Sequence, residues 1–155
     1  MAGRIEARLK ELGIELPQPA APVAAYVPYT ISGKTLYVSG QVTVWNGERR
    51  FLGKVGKDFS VEEGRQAARL CGLNLLAQAK AACGGDLDRV ARCLKLGGFV
   101  NAGPDFHDHP MVINGASELM VEVLGDAGRH ARFAVGASSL PLNVAVEVDG
   151  VFELA

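Results

Sequence analysis

Residues 131–154 read ARFAVGASSLPLNVAVEVDGVFEL, two alternating runs joined by a Ser-Ser-Leu-Pro turn. In a strand, successive side chains point to opposite faces, so alternation sorts residues by side. In the second run Val144, Val146 and Val148 share one side, opposite Ala145, Glu147 and Asp149. In the first, Phe133 and Val135 oppose Arg132, Ala134 and Gly136. If the valines and the larger apolar pair face the core, Arg132 and Glu147 both point away from it. The second face is then small and apolar, where a solvated sheet face is usually more polar. Such a face marks a subunit interface. An arginine and a glutamate are costly to bury singly there. Either they pair with each other or they face a ligand.

Working outward, Pro110–Leu124 places Val112, Ala116, Leu119, Met120 and Val123 at helical spacing, with proline in the first turn and Gly125 at the end. Val90–Val100 is a strand expected to break at Gly97-Gly98, and Asn101–His109 is a polar loop. Ser60-Val61-Glu62-Glu63 is a capping box that opens a second helix. Its spaced set runs Ala67, Leu70, Cys71, Asn74, Leu75, Gln78 and Ala81, and Gly84-Gly85 closes it. Small residues such as Ala68 and Ala77 suit it to lie flat on a sheet.

Ala25–Ile31 and Thr35–Val42 flank Ser32-Gly33-Lys34 as a hairpin, followed by a loop with a short strand over 46–58. Three prolines make 17–23 an extended linker. Ile5, Leu9 and Leu12 make 3–12 a short amphipathic helix ended by Gly13. The order predicts an α+β sandwich, two long helices on one face of a mixed sheet. It forms a single domain over 1–155, with 1–16 as an N-terminal helical extension.

Composition narrows the function. The 155 residues are 48% apolar with a formal net charge of −1, and the basic residues are scattered apart from Arg49-Arg50. Nucleic-acid binding runs on clustered charge, so it is not expected. Cys71, Cys83 and Cys93 are odd in number, form no CxxC pair and read as buried free thiols. The first 13 residues lack the apolar centre of a signal peptide, and no stretch is long enough to span a membrane. A soluble cytoplasmic protein is expected.

Ala131-Arg132, Leu140-Pro141 and Val146-Glu147-Val148-Asp149 together resemble the C-terminal signature of the YjgF/RidA family, also labelled endoribonuclease L-PSP. Ala25-Tyr26-Val27 with Ser39-Gly40-Gln41 resembles that family's N-terminal hairpin, and Val112-Ile113-Asn114 its asparagine segment. The resemblance covers roughly residues 20–154. It implies a chorismate-mutase-like sandwich, with three subunits closing their open sheet faces into a barrel and three clefts between neighbours. The implied activity is hydrolysis of enamines and imines such as 2-aminoacrylate to a 2-keto acid and ammonia, without metal or organic cofactor.

Carried over by position, Arg132 anchors the substrate carboxylate and Glu147 orients or activates water. Tyr26, Gly40 and Asn114 line the pocket, and the backbone at Ala134 helps hold the water. Ala134 stands where many members carry cysteine, and one extra residue separates Asn114 from Arg132. The N-terminal extension and the loop at Trp45 are longer than in compact members, which marks a divergent subgroup.

Other constellations read more plainly. His107, Asp108 and His109 form a polar loop, with Asp108 or a neighbour capping the next helix, in preference to a metal site. His130 precedes the arginine strand and could sit at the cleft rim. Two further functions stay open: a non-catalytic trimer that binds a small carboxylate, and, ranked last, an endoribonuclease or translation inhibitor.

Overall fold

A computed structural model describes residues 3–22 and 24–155. Val23, the last residue of the expected linker, lies outside them, as do Met1 and Ala2. The elements are α1 (Arg4–Leu12), β1 (Tyr29–Ser32), β2 (Thr35–Gln41), β3 (Val44–Trp45), β4 (Glu48–Arg49), α2 (Val61–Ala82), β5 (Val90–Asn101), α3 (His109–Leu124), β6 (Ala131–Ala137) and β7 (Val146–Leu154). Five strands form one mixed sheet in the order β1-β2-β7-β5-β6, and β3 and β4 form a separate two-stranded ribbon.

β5 and β6 pair in parallel, which requires a crossover, and α3 supplies it. β7 inserts antiparallel between β2 and β5. Helix α2 packs on β2 and β7, α3 packs on β5 and β6, and the two helices pack on each other. The expected α+β sandwich with both long helices on one face is the fold observed.

Local chemistry starts and stops these elements. The Ser60 hydroxyl accepts from the Glu63 amide at 3.1 Å, and Glu63 accepts from the Ser60 amide at 3.1 Å, completing the capping box of α2. Two glycines let the helices close up. A Cβ on Gly115 would lie 1.9 Å from the Arg65 carbonyl oxygen, and one on Gly72 would lie 2.9 Å from Leu119. Helix α1 begins at Gly3, which has no capping side chain. Asp88 substitutes from across the fold, accepting from the Arg4 and Ile5 amides at 2.8 Å each. Ile5 and Leu9 are buried beneath it.

Several expectations need correction. β1 begins at Tyr29 rather than at residue 25, because Pro28 has no N–H to extend the ladder, although Ser39 still donates to Pro28 and Val27 carbonyls. β5 does not break at Gly97-Gly98. The glycines give room for close neighbours: a Cβ on Gly97 would meet Asp149 and Phe133 at 2.5 Å, and one on Gly98 would meet Ile113 at 2.6 Å. The last strand begins at Val146, because Leu142 and Asn143 adopt left-handed backbone in a short turn. Asp108 occupies the N-cap of α3, but its side chain makes no capping hydrogen bond.

The largest correction concerns β6. Its register sets Arg132 beside Leu96 and Ala134 beside Gly98, which face the helices, whereas Phe133 lies beside Gly97 on the open side. Phe133 and Val135 therefore lie on the open face, and Arg132 lies on the helix side. Phe133 packs edge-on against Phe99 there, with ring centroids 5.4 Å apart. Parity sorts a strand into two sets but does not say which set faces the core. On this edge strand the larger apolar set faces outward. Glu147 does point away from the helices, opposite Phe99. The open face carries Tyr37, Phe99, Phe133, Val135 and Val151, and Tyr37 and Val135 are 49% and 42% exposed.

Candidate active site

Arg132 emerges where β6 meets the flank of α3. Its Nη1 donates to Asn114 Oδ1 at 2.8 Å and to Ser117 Oγ at 3.1 Å. Asn114 and Ser117 lie three residues apart on α3, so both side chains fall on one helix face. The Ser117 oxygen lies 2.8 Å from His130 Nε2, and His130 Nδ1 lies 2.6 Å from the Gly128 carbonyl.

A cavity of about 580 Å³ opens over this group, lined by Ser117, Glu118, Val121, Glu122, His130 and Arg132, among others. The two carboxylates on its wall are held elsewhere: Glu118 pairs with Arg65, and Glu122 with Arg69 at 3.2 Å. Among the described residues no carboxylate pairs with Arg132, so the ion pair with Glu147 does not form. Burial lowers the guanidinium from its usual value, but arginine remains charged.

Glu147 occupies a second cavity, about 410 Å³, on the other side of the sheet. Tyr26, Gly40, Pro141 and Leu142 line it together with Ala20 and Ala21. Gly40 lies at the irregularity in β2, and a Cβ there would sit 2.5 Å from Glu147 Oε2. The carboxyl can occupy this position only because residue 40 lacks a side chain. Burial, then the neighbouring Asp149, raises the Glu147 carboxyl above its ordinary range. A raised carboxyl is a stronger proton acceptor than an ordinary one, which suits general acid–base work.

The structure thus divides the expected site residues. Arg132 and Asn114 come together on one side, and Tyr26, Gly40 and Glu147 on the other. Ala134 lies on β6 between them, its side chain against the helices. β6 is a sheet edge, so its outer row of backbone groups has no strand partner among the described residues.

Two contributors were not anticipated. Ser117 could have been found from its position one turn after Asn114. The wall at Ala20–Ala21 had no local signal, because Gln78 from α2 anchors it by donating to the Ala20 carbonyl at 2.8 Å. The loop at Trp45 helps, since Asn46 Oδ1 accepts from the Gln18 amide at 2.7 Å.

The thiols take no part in either cavity. Cys71, Cys83 and Cys93 are all buried and free, and burial pushes Cys93 up to about 12. Among the described residues, no group of three or more His, Cys, Asp or Glu comes together to hold a metal ion. Among the described residues, no helix is long and apolar enough to cross a membrane.

An open-faced α+β sandwich defines the class, with a guanidinium on one side and a carboxyl on the other that have no ion-pair partner among the described residues, and comparison with known proteins gives the family. Residues 6–154 match the model described as "YjgF/chorismate mutase-like, putative endoribonuclease". Protein TCP17 of Trypanosoma cruzi is 48% identical over 99% of this chain and 96% of its own length. The crystal structure of Atu1372 from Agrobacterium tumefaciens is 52% identical, with a TM-score of 0.89 over 97% of this chain and 94% of that one. RidA from an Antarctic Psychrobacter is 26% identical, with a TM-score of 0.60 over 90% of this chain and 94% of that one. The chain belongs to the YjgF/RidA family.

Proposed function

We propose that the protein hydrolyses reactive enamines and imines that carry a carboxylate, at clefts formed between the subunits of a homotrimer. The observation that carries this reading is the pair of half-sites. Among the described residues Arg132 has donors free and no carboxylate partner, while Glu147 is half-buried, without an ion-pair partner and raised. A guanidinium grips a carboxylate in a planar fork, which fixes the substrate's orientation.

The two groups sit on opposite sides of one sheet, so a complete site needs Glu147 from one copy and Arg132 from another. The exposed aromatic and aliphatic face of the sheet supports such an assembly, because apolar patches of this kind mark protein contacts. In the reaction, Glu147 holds a water molecule and accepts its proton as the oxygen adds to the imine carbon. It then returns that proton to the nitrogen; as the C–N bond breaks and ammonia departs, the new hydroxyl gives its proton back to Glu147 and the 2-keto acid remains. An enamine first takes a proton at carbon to become the iminium form. Three free thiols support a reducing, cytoplasmic location.

Imines generated in situ by an amino-acid oxidase provide the test. The wild-type protein should speed keto-acid release, and Arg132→Ala should abolish the acceleration. Release at the uncatalysed rate, together with retained ligand binding, would instead favour a carboxylate-binding module. The family description favours an endoribonuclease as the second reading. RNA cleavage that survives Arg132→Ala would support it.

A further inference from the structure

The hydrogen bonds around Arg132 run in one direction. The Gly128 carbonyl can only accept, so His130 Nδ1, 2.6 Å away, carries a proton. In the neutral ring, Nε2 then offers a lone pair, and Ser117 Oγ at 2.8 Å donates to it. A serine hydroxyl has one hydrogen. With that hydrogen committed to His130, Ser117 presents only lone pairs to Arg132 Nη1, 3.1 Å away. Asn114 Oδ1, at 2.8 Å, takes the second Nη1 hydrogen. Donation passes from Arg132 to Ser117 to His130 to Gly128, and aligned chains of this kind strengthen each member.

A carboxylate can grip a guanidinium end-on, through Nη1 and Nη2, or side-on, through Nη2 and Nε. Both Nη1 hydrogens are occupied, whereas among the described residues Nη2 and Nε donate to nothing. We propose that Ser117 and His130 are positioning residues that commit the Nη1 end of Arg132 and confine an incoming carboxylate to the Nη2–Nε edge. The other charged groups lining this cavity are Glu118 and Glu122, held by Arg65 and Arg69, and Arg129, which pairs with Asp126 at 3.5 Å. The inference rests on Arg132 being the anion site proposed above, and it adds two residues and a binding geometry to that reading.

The test measures pyruvate binding to the full-length protein by calorimetry, with methyl pyruvate as the uncharged control. Ser117→Ala should weaken pyruvate roughly tenfold, the scale of one hydrogen bond to a charged group, and leave methyl pyruvate unchanged. His130→Leu should match it, and the double variant should be no worse than either single variant, because the two act in series. His130→Gln, which restores an acceptor, should stay within about twofold of wild type on the same scale. Nitrogen NMR of the free protein should show slow rotation of the Arg132 guanidinium that Ser117→Ala releases. Wild-type affinity and slow rotation in Ser117→Ala would overturn the relay while leaving Arg132 as the anion site. Failure of the wild-type protein to bind pyruvate would overturn the anion site and the relay's use with it.

Discussion

Arg132 and Glu147 stand on opposite faces of one sheet, with β5 between their strands. Two inter-strand spacings of about 4.8 Å and three residue rises of about 3.3 Å put their Cα atoms roughly 14 Å apart. Side chains that diverge from that separation cannot hold one small substrate between them. Under the proposed function, a working cleft therefore takes one residue from each of two copies.

Complementation between inactive variants tests this directly. Arg132→Ala and Glu147→Gln should each lose imine hydrolysis as pure proteins. Unfolded together in equal amounts and refolded, they should recover about a quarter of wild-type activity, the fraction of clefts in a random ring that inherit both intact residues. No recovery after confirmed subunit mixing would place both groups in the same copy's site.

Glu147 sets a pH dependence with a definite sign. Its folded carboxyl is raised by burial and by Asp149. The folded protein therefore binds that proton more tightly than the unfolded chain, and stability falls as pH rises from the ordinary carboxylate range through the raised value. Thermal melts of wild type and Glu147→Gln should diverge over that window, with the variant gaining relative stability as pH increases. In the proposed reaction, kcat/KM should rise across the same window as Glu147 becomes able to accept a proton.

Gly40→Ala separates activity from folding. The added carbon would approach Glu147 Oε2 to 2.5 Å, and a carboxyl can rotate away at little cost to stability. Hydrolysis should drop about tenfold or more, since small misplacements of a reacting group cost that much, while Tm changes little. An unchanged rate would show that the carboxyl's position is not critical.

Gly115→Ala tests packing instead. Alanine favours a helix over glycine by about 1 kcal/mol. Here the new carbon would meet the Arg65 backbone oxygen at 1.9 Å, and backbone cannot swing aside. Overpacking costs roughly 1–3 kcal/mol, so the clash should win and chemical denaturation should show net destabilisation. A stabilised variant would mean that α2 and α3 separate easily.

Asp88 anchors the N-terminal helix, and the Ile5 and Arg4 amides hold its carboxyl below the usual range. This contribution is present above the ordinary carboxylate pKa and disappears as pH falls through the lowered one. Hydrogen exchange in residues 4–12 should quicken in Asp88→Ala at neutral pH, and wild type should approach the variant in strong acid. Equal exchange in both proteins at neutral pH would assign the docking of α1 to Ile5 and Leu9 alone.

Much of this protein was legible in the order of its residues. Ser60 and Glu63 three apart, the apolar spacing of α2 and α3, and the valines of β7 each follow from short-range geometry, because a helix turn or a strand pleat repeats over a few residues. Those signals were enough for the sandwich, and the motifs around Arg132 and Glu147 carried the family resemblance. Tertiary structure alone decided which face of β6 looks outward. Alternation divides Phe133 from Arg132 without saying which side the helices cover, and that choice comes from the register of β6 against β5 and the seat of α3 above it. The same holds for the bond from Arg132 to Ser117 and for the anchoring of Ala20 by Gln78. Each joins residues far apart in the chain, and only the packed core brings them within hydrogen-bonding distance.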